Sequence, residues 1–293
     1  KIFIFYSFLT IIIFLVLNLF DFRSFISLNL SMTLIASGGF LPTNNLETVL
    51  NTQTKMIVFS LLMLISFFSL FFLYNLLFYK KKGVKFIQED LYLVLYLLFI
   101  IFIFFLLIDK NTNFGIIFLA ISSSVSNVGV SLKNTPEYLS FIFLILIIIG
   151  GSFFSTSSGL RFLKIVSLFQ FSINEIISNA KPKNIFINKL WLSDKIMDKS
   201  DFYKYFFSIL IFIISLTSLT SILSMSGLDI ESSFKLSTLT LMNTANSYMT
   251  QLNNLDFVQL NYLTKYFLVL FMIIGRVELL SFLIIFKKFF FKN

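Results

Sequence analysis

Three short stretches of small and polar residues are the part of this sequence best suited to chemistry, because their backbone could bind a cation. They are Ser37-Gly38-Gly39, Asn127-Val128-Gly129 and Asn243-Thr244-Ala245. Glycine adopts backbone angles that are closed to other residues, so such a loop can turn its carbonyl oxygens to one side. Oxygens arranged in this way replace the water shell of a dehydrated ion in a selectivity filter. One stretch alone would indicate only a helix-breaking turn, whereas three in matching positions favour an ion-binding filter.

A further stretch, from Gly150 to Gly159, is rich in glycine and serine and lies inside the hydrophobic run Tyr138–Ile177. The residues that distinguish it are Gly150, Gly151, Ser155, Thr156, Ser157, Ser158 and Gly159. Each glycine inside a helix costs about 1 kcal/mol relative to alanine. A tight contact between two helices also favours small residues, but it needs fewer of them. We therefore predict a broken helix whose middle lies in the conduction path and acts as a gate.

Charged residues of interest lie inside two of the hydrophobic runs: Arg161 and Lys164 in Tyr138–Ile177, and Arg276 and Glu278 in Tyr262–Phe290. A charge at the centre of a bilayer costs at least about 2.5–3.5 kcal/mol, so it is expected to face a pore or a partner. Arg276 and Glu278 are two residues apart and point in different directions on a helix, so they are not natural partners. We predict that Arg276 faces the pore below the filter, and that Arg161 and Lys164 sit near the cytoplasmic end, where their side chains snorkel to the membrane surface.

The composition places these residues in a membrane and excludes several kinds of chemistry. Of the 293 residues, 57% are hydrophobic and only 13% are charged, whereas a soluble domain would need more charged surface. Cysteine and histidine are absent, which excludes disulfides, thiolate catalysis and the commonest transition-metal ligand. The net charge of +9 comes from lysine clusters beside hydrophobic spans. That distribution is typical of cytoplasmic loops and argues against nucleic-acid binding.

The elements that must position the three stretches repeat in the order span, half-span, loop and span. The first spans are Ile2–Phe20, Ile87–Ile108 and Phe202–Met225. The half-spans are Ser24–Ala36, Asn113–Ser124 and Ser232–Met242. The second spans are Lys55–Tyr79, Tyr138–Ile177 and Tyr262–Phe290. A helix of about 20 residues crosses roughly 30 Å of hydrocarbon, whereas the half-spans reach only about half-way. We therefore predict that the half-spans re-enter, with all three loops on one side of the membrane and the lysine clusters on the other.

A half-helix that ends inside the membrane directs its last carbonyl groups, which together carry about −0.5 charge, towards the centre of the assembly. Irregular backbone at that depth is tolerated only where it is buried in protein or lines water. Several such ends that converge on one axis would attract a cation without any formal negative charge. The pattern therefore predicts an all-α membrane protein built around an ion pore.

These motifs together resemble the Trk/Ktr/HKT superfamily of potassium transporters, and in particular its bacterial TrkH-type membrane subunit, along nearly the whole chain. Ser37-Gly38-Gly39-Phe40 resembles the second filter loop of that family, Val128-Gly129-Val130 resembles the third, and Asn243-Thr244-Ala245 takes the place of the fourth. Gly150–Gly159, continued by Leu160-Arg161-Phe162-Leu163-Lys164, resembles the intramembrane loop, and Gly275-Arg276-Val277-Glu278 resembles the motif of the last helix. The resemblance implies three span–half-helix–loop–span (M1-P-M2) repeats around a pseudo-fourfold pore, over residues 1–85, 86–200 and 201–293, with the first of four repeats missing.

The resemblance also implies a function, which we state as an expectation. The chain would be a multi-pass subunit for potassium uptake in the bacterial inner (cytoplasmic) membrane, with potassium as its transported substrate and no bound cofactor. Gly39, Gly129 and Ala245 would be filter positions, Gly150–Gly159 the gate and Arg276 the pore-facing arginine. The implied partners are a second copy in a homodimer and a cytoplasmic, nucleotide-binding regulatory subunit of the TrkA type. Channel-like transport and transport coupled to protons or sodium both remain open.

Two departures from the family pattern bear on this interpretation. The first hairpin is missing and the chain begins without methionine, so we expect an N-terminally incomplete sequence. Ala245 stands where glycine is usual, and alanine at positive φ costs about 1 kcal/mol or more, so tolerance of sodium is an alternative to strict potassium selectivity. Two other functions stay open: a non-conducting relative that serves as a partner subunit, and a membrane-embedded lipid-modifying enzyme, although the histidine that such enzymes often use is absent.

Overall fold

A computed structural model of the chain describes residues 2–43, 46–78, 87–107, 113–180, 199–245, 248–252, 257 and 260–276. These residues form the helices α1 (Ile2–Leu19), α2 (Ser24–Ala36), α3 (Leu46–Val49), α4 (Gln53–Met63), α5 (Leu70–Phe78), α6 (Ile87–Leu107), α7 (Phe114–Ser126), α8 (Ser140–Ile148), α9 (Phe162–Ala180), α10 (Lys199–Met225), α11 (Ile230–Met242) and α12 (Tyr262–Arg276). Short 3₁₀ turns lie at Leu64–Ser66, Glu137–Leu139 and Tyr248–Thr250. Within the described residues, extended backbone is paired only in a single parallel bridge between Ile149 and Leu160. The fold is therefore all-α, as predicted.

Three short helices, α2, α7 and α11, occupy the places of the predicted half-spans. Each has 13 residues, so each is about 20 Å long and too short to cross a bilayer. Helix α2 coincides with its prediction, and α7 and α11 differ from theirs by at most two residues at either end. Helix α7 is buried along nearly its whole length, between α4 and α8. A short helix enclosed by longer ones is the arrangement that re-entry predicts.

Two helices within the described residues are long and apolar enough to cross a membrane, at Gln88–Leu107 and Asp201–Met225. One face of α6 is apolar and exposed, and it includes Leu95, Phe99 and Phe102. A continuous exposed face of leucine and phenylalanine is unfavourable in water and favourable in lipid. The chain is a helical membrane protein.

The buried apolar residues form two clusters that meet at α7. One cluster joins α1, α2 and α4, and the other joins α6, α8, α9, α10, α11 and α12. Leu119 of α7 belongs to the first cluster, whereas Ile121 and Val125 of the same helix belong to the second. Helix α7 therefore lies at the centre of the molecule and links the first hairpin to the other two.

The second spans of the first two hairpins are both interrupted. The Tyr138–Ile177 run is non-helical between Ile148 and Phe162, as the glycine and serine residues predict. The Lys55–Tyr79 run was expected to be one helix, and this prediction is wrong. A 3₁₀ turn and three non-helical residues, 67–69, separate α4 from α5. This second break contains neither glycine nor proline, so its cause must lie in contacts with another segment.

Candidate functional site

The three short helices end in the same way, with one residue in the left-handed conformation. These residues are Ser37, Asn127 and Asn243, with φ of 46°, 58° and 51°. Each donates its N–H to the carbonyl three residues earlier, and the following residue donates to the carbonyl five residues earlier, which is the Schellman arrangement. Asparagine tolerates the left-handed region better than most residues, which explains its presence at two of the three ends. The caps begin three loops, residues 37–40, 127–130 and 243–245, which we call the first, second and third cap loops.

The first two cap loops continue with a glycine in the left-handed region, whereas the third does not. Gly39 and Gly129 have φ of 71° and 77°. Ala245 holds the equivalent position and is not among the described residues with positive φ. The backbone strain that we expected at Ala245 is therefore absent, because the third loop follows a different path.

A hydroxyl group in the last helical turn explains why the first two cap loops share a path. The Oγ1 atom of Thr33 donates to the carbonyl oxygen of Phe40 over 2.7 Å. Ser123, at the equivalent position of α7, accepts from the N–H of Val130 over 2.6 Å. The third helix has Leu239 at this position, and an apolar side chain cannot hold the following backbone. The third cap loop therefore lacks this contact.

The three cap loops are in direct contact with one another. A Cβ atom added to Gly39 would overlap the carbonyl oxygen of Val128 and would lie 2.5 Å from the Cβ atom of Ala245. A Cβ atom added to Gly129 would overlap the backbone of Ala245 and would lie 2.8 Å from Cγ2 of Thr244. The three predicted filter stretches are thus brought to one point, and only glycine fits at two of the positions.

Residues 149–161, which we call the intramembrane loop, form a closed and largely buried turn between α8 and α9. Its ends are joined by hydrogen bonds from the N–H of Gly150 to the carbonyl of Leu160 (2.8 Å) and from the N–H of Leu160 to the carbonyl of Ile148 (3.1 Å). Gly150 and Gly159 touch at this neck, because a Cβ atom on Gly159 would lie 2.9 Å from the Cα atom of Gly150. The glycines of the predicted gate thus allow the two ends of the loop to meet.

The interior of the intramembrane loop is filled by the side chain of Arg161. Its Nη1 atom lies within 3.0–3.3 Å of the carbonyl oxygens of Ser152, Ser155 and Ser157 and of the Ser155 hydroxyl. The Ser155 and Ser157 hydroxyls are themselves 2.9 Å apart. Our prediction that Arg161 extends to the cytoplasmic surface is wrong, because the loop carbonyls provide a closer set of acceptors for its charge.

Lys164 also differs from its prediction. It lies in the first turn of α9 and is only 8% exposed. Its Nζ atom is 3.4 Å from the hydroxyl of Ser208 on α10, beside a small cavity that Leu241 and Gly275 also line. The side chain therefore points into the helix bundle and not towards a membrane surface.

Arg276 joins the C-terminal end of α2 to the intramembrane loop. Its Nη2 atom donates to the carbonyl of Ala36, the last residue of α2, and its Nη1 atom donates to the hydroxyl of Ser158, both over 2.9 Å. A cation at the C-terminal end of a helix is stabilised by the helix dipole. Arg276 is the last described residue of α12, so its neighbour Glu278 lies outside the described residues.

The intramembrane loop also touches the cap loops directly. The hydroxyl of Ser37 donates to the carbonyl of Thr156 over 3.0 Å. The Asn127 amide nitrogen lies 3.0 Å from the place that a Cβ atom of Gly159 would take. Asn127 is fully buried, and its amide atoms have no hydrogen-bond partner within the described residues. The predicted filter and the predicted gate thus form one contiguous site.

Two buried carboxylates belong to this site and were missed by our sequence analysis. Glu89 and Asp90, in the first turn of α6, are both 0% exposed. Glu89 accepts from the N–H of Phe153 in the intramembrane loop over 2.9 Å, and Asp90 accepts from the N–H and the hydroxyl of Ser69. The available signal was two adjacent acids at the start of an apolar span, where a charge needs a partner. The described residues include no cluster of three or more His, Cys, Asp or Glu.

The arrangement of the helices is that of a known all-α fold. It is similar to the crystal structure of the potassium transporter TrkH from Vibrio parahaemolyticus, with a TM-score of 0.79 and 20% sequence identity. The similarity covers 97% of this chain, and the chain spans 63% of the length of that protein. At this level of identity the similarity establishes a Trk-like fold and nothing finer. No protein-family model and no curated protein matches the sequence.

Proposed function

We propose that the chain is a membrane subunit that takes up potassium through a gated pore, with the cap loops as its selectivity filter. The observation that carries the proposal is the convergence of three identically capped short helices on one point. Their C-terminal dipoles all direct partial negative charge to that point, which favours a cation. The loop carbonyls that follow, such as that of Val128 beside Gly39, are the ligands that a dehydrated potassium ion requires.

In this proposal the intramembrane loop is the gate. Its contacts with Ser37 and Asn127 place it against the first two cap loops, where it would block an ion leaving the filter. Arg276 faces the same space and would limit the residence of a cation there. Arg161 stabilises the closed loop from within through its contacts with the loop carbonyls.

The finer assignments rest on the resemblance and on the similar fold. They are a location in the bacterial inner membrane, a homodimer, a cytoplasmic nucleotide-binding regulatory subunit and a pseudo-fourfold pore built from the repeats 1–85, 86–200 and 201–293. The similar structure is that of a potassium transporter, so an enzymatic role is not proposed.

The proposal is tested by rubidium influx into vesicles that contain the full chain. Gly39→Asp and Gly129→Asp place a side chain where the cap loops touch, and we expect each to abolish influx. Gly227→Asp is the matched control, because Gly227 also has positive φ (98°) but has open space around it. Influx that is unchanged in both filter variants would overturn the proposal, and loss of influx in the control as well would show that the variants report only on folding.

A second candidate function is that of a non-conducting partner subunit. It is favoured by one observation, the direct contact of the three cap loops, in which Gly39 lies too close to Val128 and Ala245 for even a methyl group to be added. This candidate predicts no rubidium influx from the correctly folded chain, whatever residue stands at position 39 or 129.

A further inference from the structure

The break between α4 and α5 is occupied by the intramembrane loop. In a continuous helix, the N–H of Leu70 would donate to the carbonyl of Ser66. Here the N–H of Leu70 donates to the carbonyl of Phe154 over 3.2 Å, and the carbonyl of Ser66 accepts from the N–H of Ser157 over 3.1 Å. The loop thus replaces one helical hydrogen bond with two bonds of its own.

Further contacts join the loop to the same break. The N–H of Ser152 donates to the carbonyl of Phe67 over 3.1 Å, and a Cβ atom on Gly151 would overlap that carbonyl oxygen. The ring of Phe154 packs edge-on against Phe71, with 4.9 Å between the ring centroids. The break and the docked loop are therefore complementary surfaces, and each supplies the hydrogen-bond partners that the other lacks.

The two buried carboxylates stabilise the broken form specifically. Asp90 accepts from the Ser69 N–H over 3.0 Å and from its hydroxyl over 2.7 Å, while that hydroxyl accepts from the N–H of Phe72 over 2.9 Å. Ser69 is thereby held as the N-terminal cap of α5, a role that exists only while the helix is broken. Glu89, next to Asp90, holds the docked loop through the N–H of Phe153.

The residues of the break would themselves form a helix without the loop. The segment Leu64 to Phe72 contains neither glycine nor proline, and its leucine, isoleucine and phenylalanine residues suit a membrane helix. Two arrangements of the same backbone are thus available: a broken helix with the loop docked, and a continuous helix with the loop released. Interfaces of this kind have discrete alternatives and do not deform gradually.

We propose that release of the intramembrane loop and closure of the α4–α5 break into one continuous helix are a single coupled transition. Glu89 and Asp90 are positioning residues that hold the docked state. This inference rests on the proposed function, in which the loop is the gate. It adds that α5 moves when the gate opens, so that a partner acting on α5 can control the pore.

The experiment uses thiol labelling, because the chain has no cysteine of its own. Ser152→Cys is the reporter, because Ser152 lies in the docked loop, is 0% exposed and is close in size to cysteine. With the loop docked, we expect this cysteine to react slowly with a small maleimide. Adding Asp90→Ala removes the acceptor that holds Ser69 as the cap of α5, and we expect labelling to become about tenfold faster or more.

Leu70→Pro then tests the coupling itself. Proline is tolerated at the first position of a helix, which Leu70 holds in α5, but it cannot sit in a continuous α4–α5 helix. Leu70→Pro also removes the bond from the N–H of Leu70 to the carbonyl of Phe154. Because it prevents the continuous helix, we nevertheless expect it to return labelling in the Asp90→Ala background towards the slow rate. Fast labelling that persists with Leu70→Pro would overturn the coupling, as would a rate that Asp90→Ala leaves unchanged.

Two further variants keep the result interpretable. Glu137→Ala is the matched control for loss of an acid, because Glu137 is exposed at the start of the Glu137–Leu139 turn, and labelling should not change. Glu89→Gln is a second variant, to be used if an alanine variant folds poorly. It keeps an oxygen acceptor for the N–H of Phe153, so we expect a smaller increase in the labelling rate than with Asp90→Ala. If rubidium influx is absent in every variant while labelling follows the expected pattern, the conduction proposal fails and the coupled break stands.

Discussion

Alanine at position 129 gives the sharpest prediction about how the cap loops are built. Gly129 has φ of 77°, and a non-glycine residue in the left-handed region costs about 1–2 kcal/mol. The new Cβ atom would also overlap the backbone of Ala245 and lie 2.8 Å from Cγ2 of Thr244. Overpacking of a buried contact typically costs about 1–3 kcal/mol more. We therefore expect Gly129→Ala to lower the free energy of unfolding by about 2–5 kcal/mol.

Two other glycines separate the contributions to this cost. Gly227 has φ of 98° and no atom within 4 Å of the place that a Cβ atom would take. Gly227→Ala should therefore lower the free energy of unfolding only by the cost of the left-handed conformation, about 1–2 kcal/mol. Gly38 does not have positive φ and its Cβ would make ordinary contact with the Phe40 ring at 3.5 Å, so Gly38→Ala should change stability by less than about 1 kcal/mol.

The assay is denaturant unfolding of the three variants in the same detergent, with rubidium influx measured in parallel. The expected order of destabilisation is Gly129→Ala, then Gly227→Ala, then Gly38→Ala. Only the first should also abolish influx. If Gly129→Ala is no less stable than Gly227→Ala, the cap loops are not in the direct contact that we describe, and the reasoning is refuted.

Three further substitutions test the contacts around the site. Arg161→Ala removes the donor to the carbonyls of Ser155 and Ser157, at about 1–3 kcal/mol for each buried group left unpaired, whereas the Ser152 carbonyl keeps its two bonds from Ser155. Thermal unfolding should therefore occur at a clearly lower temperature, and an unchanged midpoint would contradict the role of Arg161. Ser123→Ala leaves the buried N–H of Val130 without its acceptor, which should cost about 1–3 kcal/mol in denaturant unfolding, whereas the exposed Ser172→Ala should cost less than about 0.5 kcal/mol. Arg276→Gln weakens the link between α2 and the intramembrane loop, and we expect faster rubidium influx at a fixed gradient; slower influx would show that the arginine assists conduction.

The short helices were predictable because their signals are local. An apolar stretch of limited length followed by Asn127 or Asn243 indicates a helix that ends in a left-handed cap, and the structure has both caps. The break at Gly150–Gly159 was likewise visible, because glycine and serine lower helix stability wherever they occur in a span.

The rest of the site depends on contacts between distant segments. The break at residues 67–69 has an ordinary helical sequence, and it exists because Phe154 and Ser157 take its hydrogen bonds. The position of the Arg161 side chain was predicted wrongly for a related reason. A long basic side chain near the end of a span usually reaches the membrane surface. Here the carbonyl oxygens of the intramembrane loop lie closer and bind its charge. Local sequence does not encode either contact.

The asymmetry of the third cap loop has a similar origin. Ala245 was expected to be strained, by analogy with Gly39 and Gly129. The structure instead shows a different path, which follows from the absence of a hydroxyl at Leu239. Thr33 and Ser123 carry that hydroxyl in the other two short helices, so the difference was present in the sequence four residues before each cap.

The central claim, that the cap loops line the path of the ion, is tested most directly by blocking that path at one residue. Ala245→Cys introduces a single thiol of similar size into a chain that has no other cysteine. Ala245 is partly exposed, so a positively charged thiol reagent added outside the vesicles can reach it. We predict that the reagent stops rubidium influx through Ala245→Cys and leaves the original chain unaffected. Complete modification of the cysteine with undiminished influx would contradict the account.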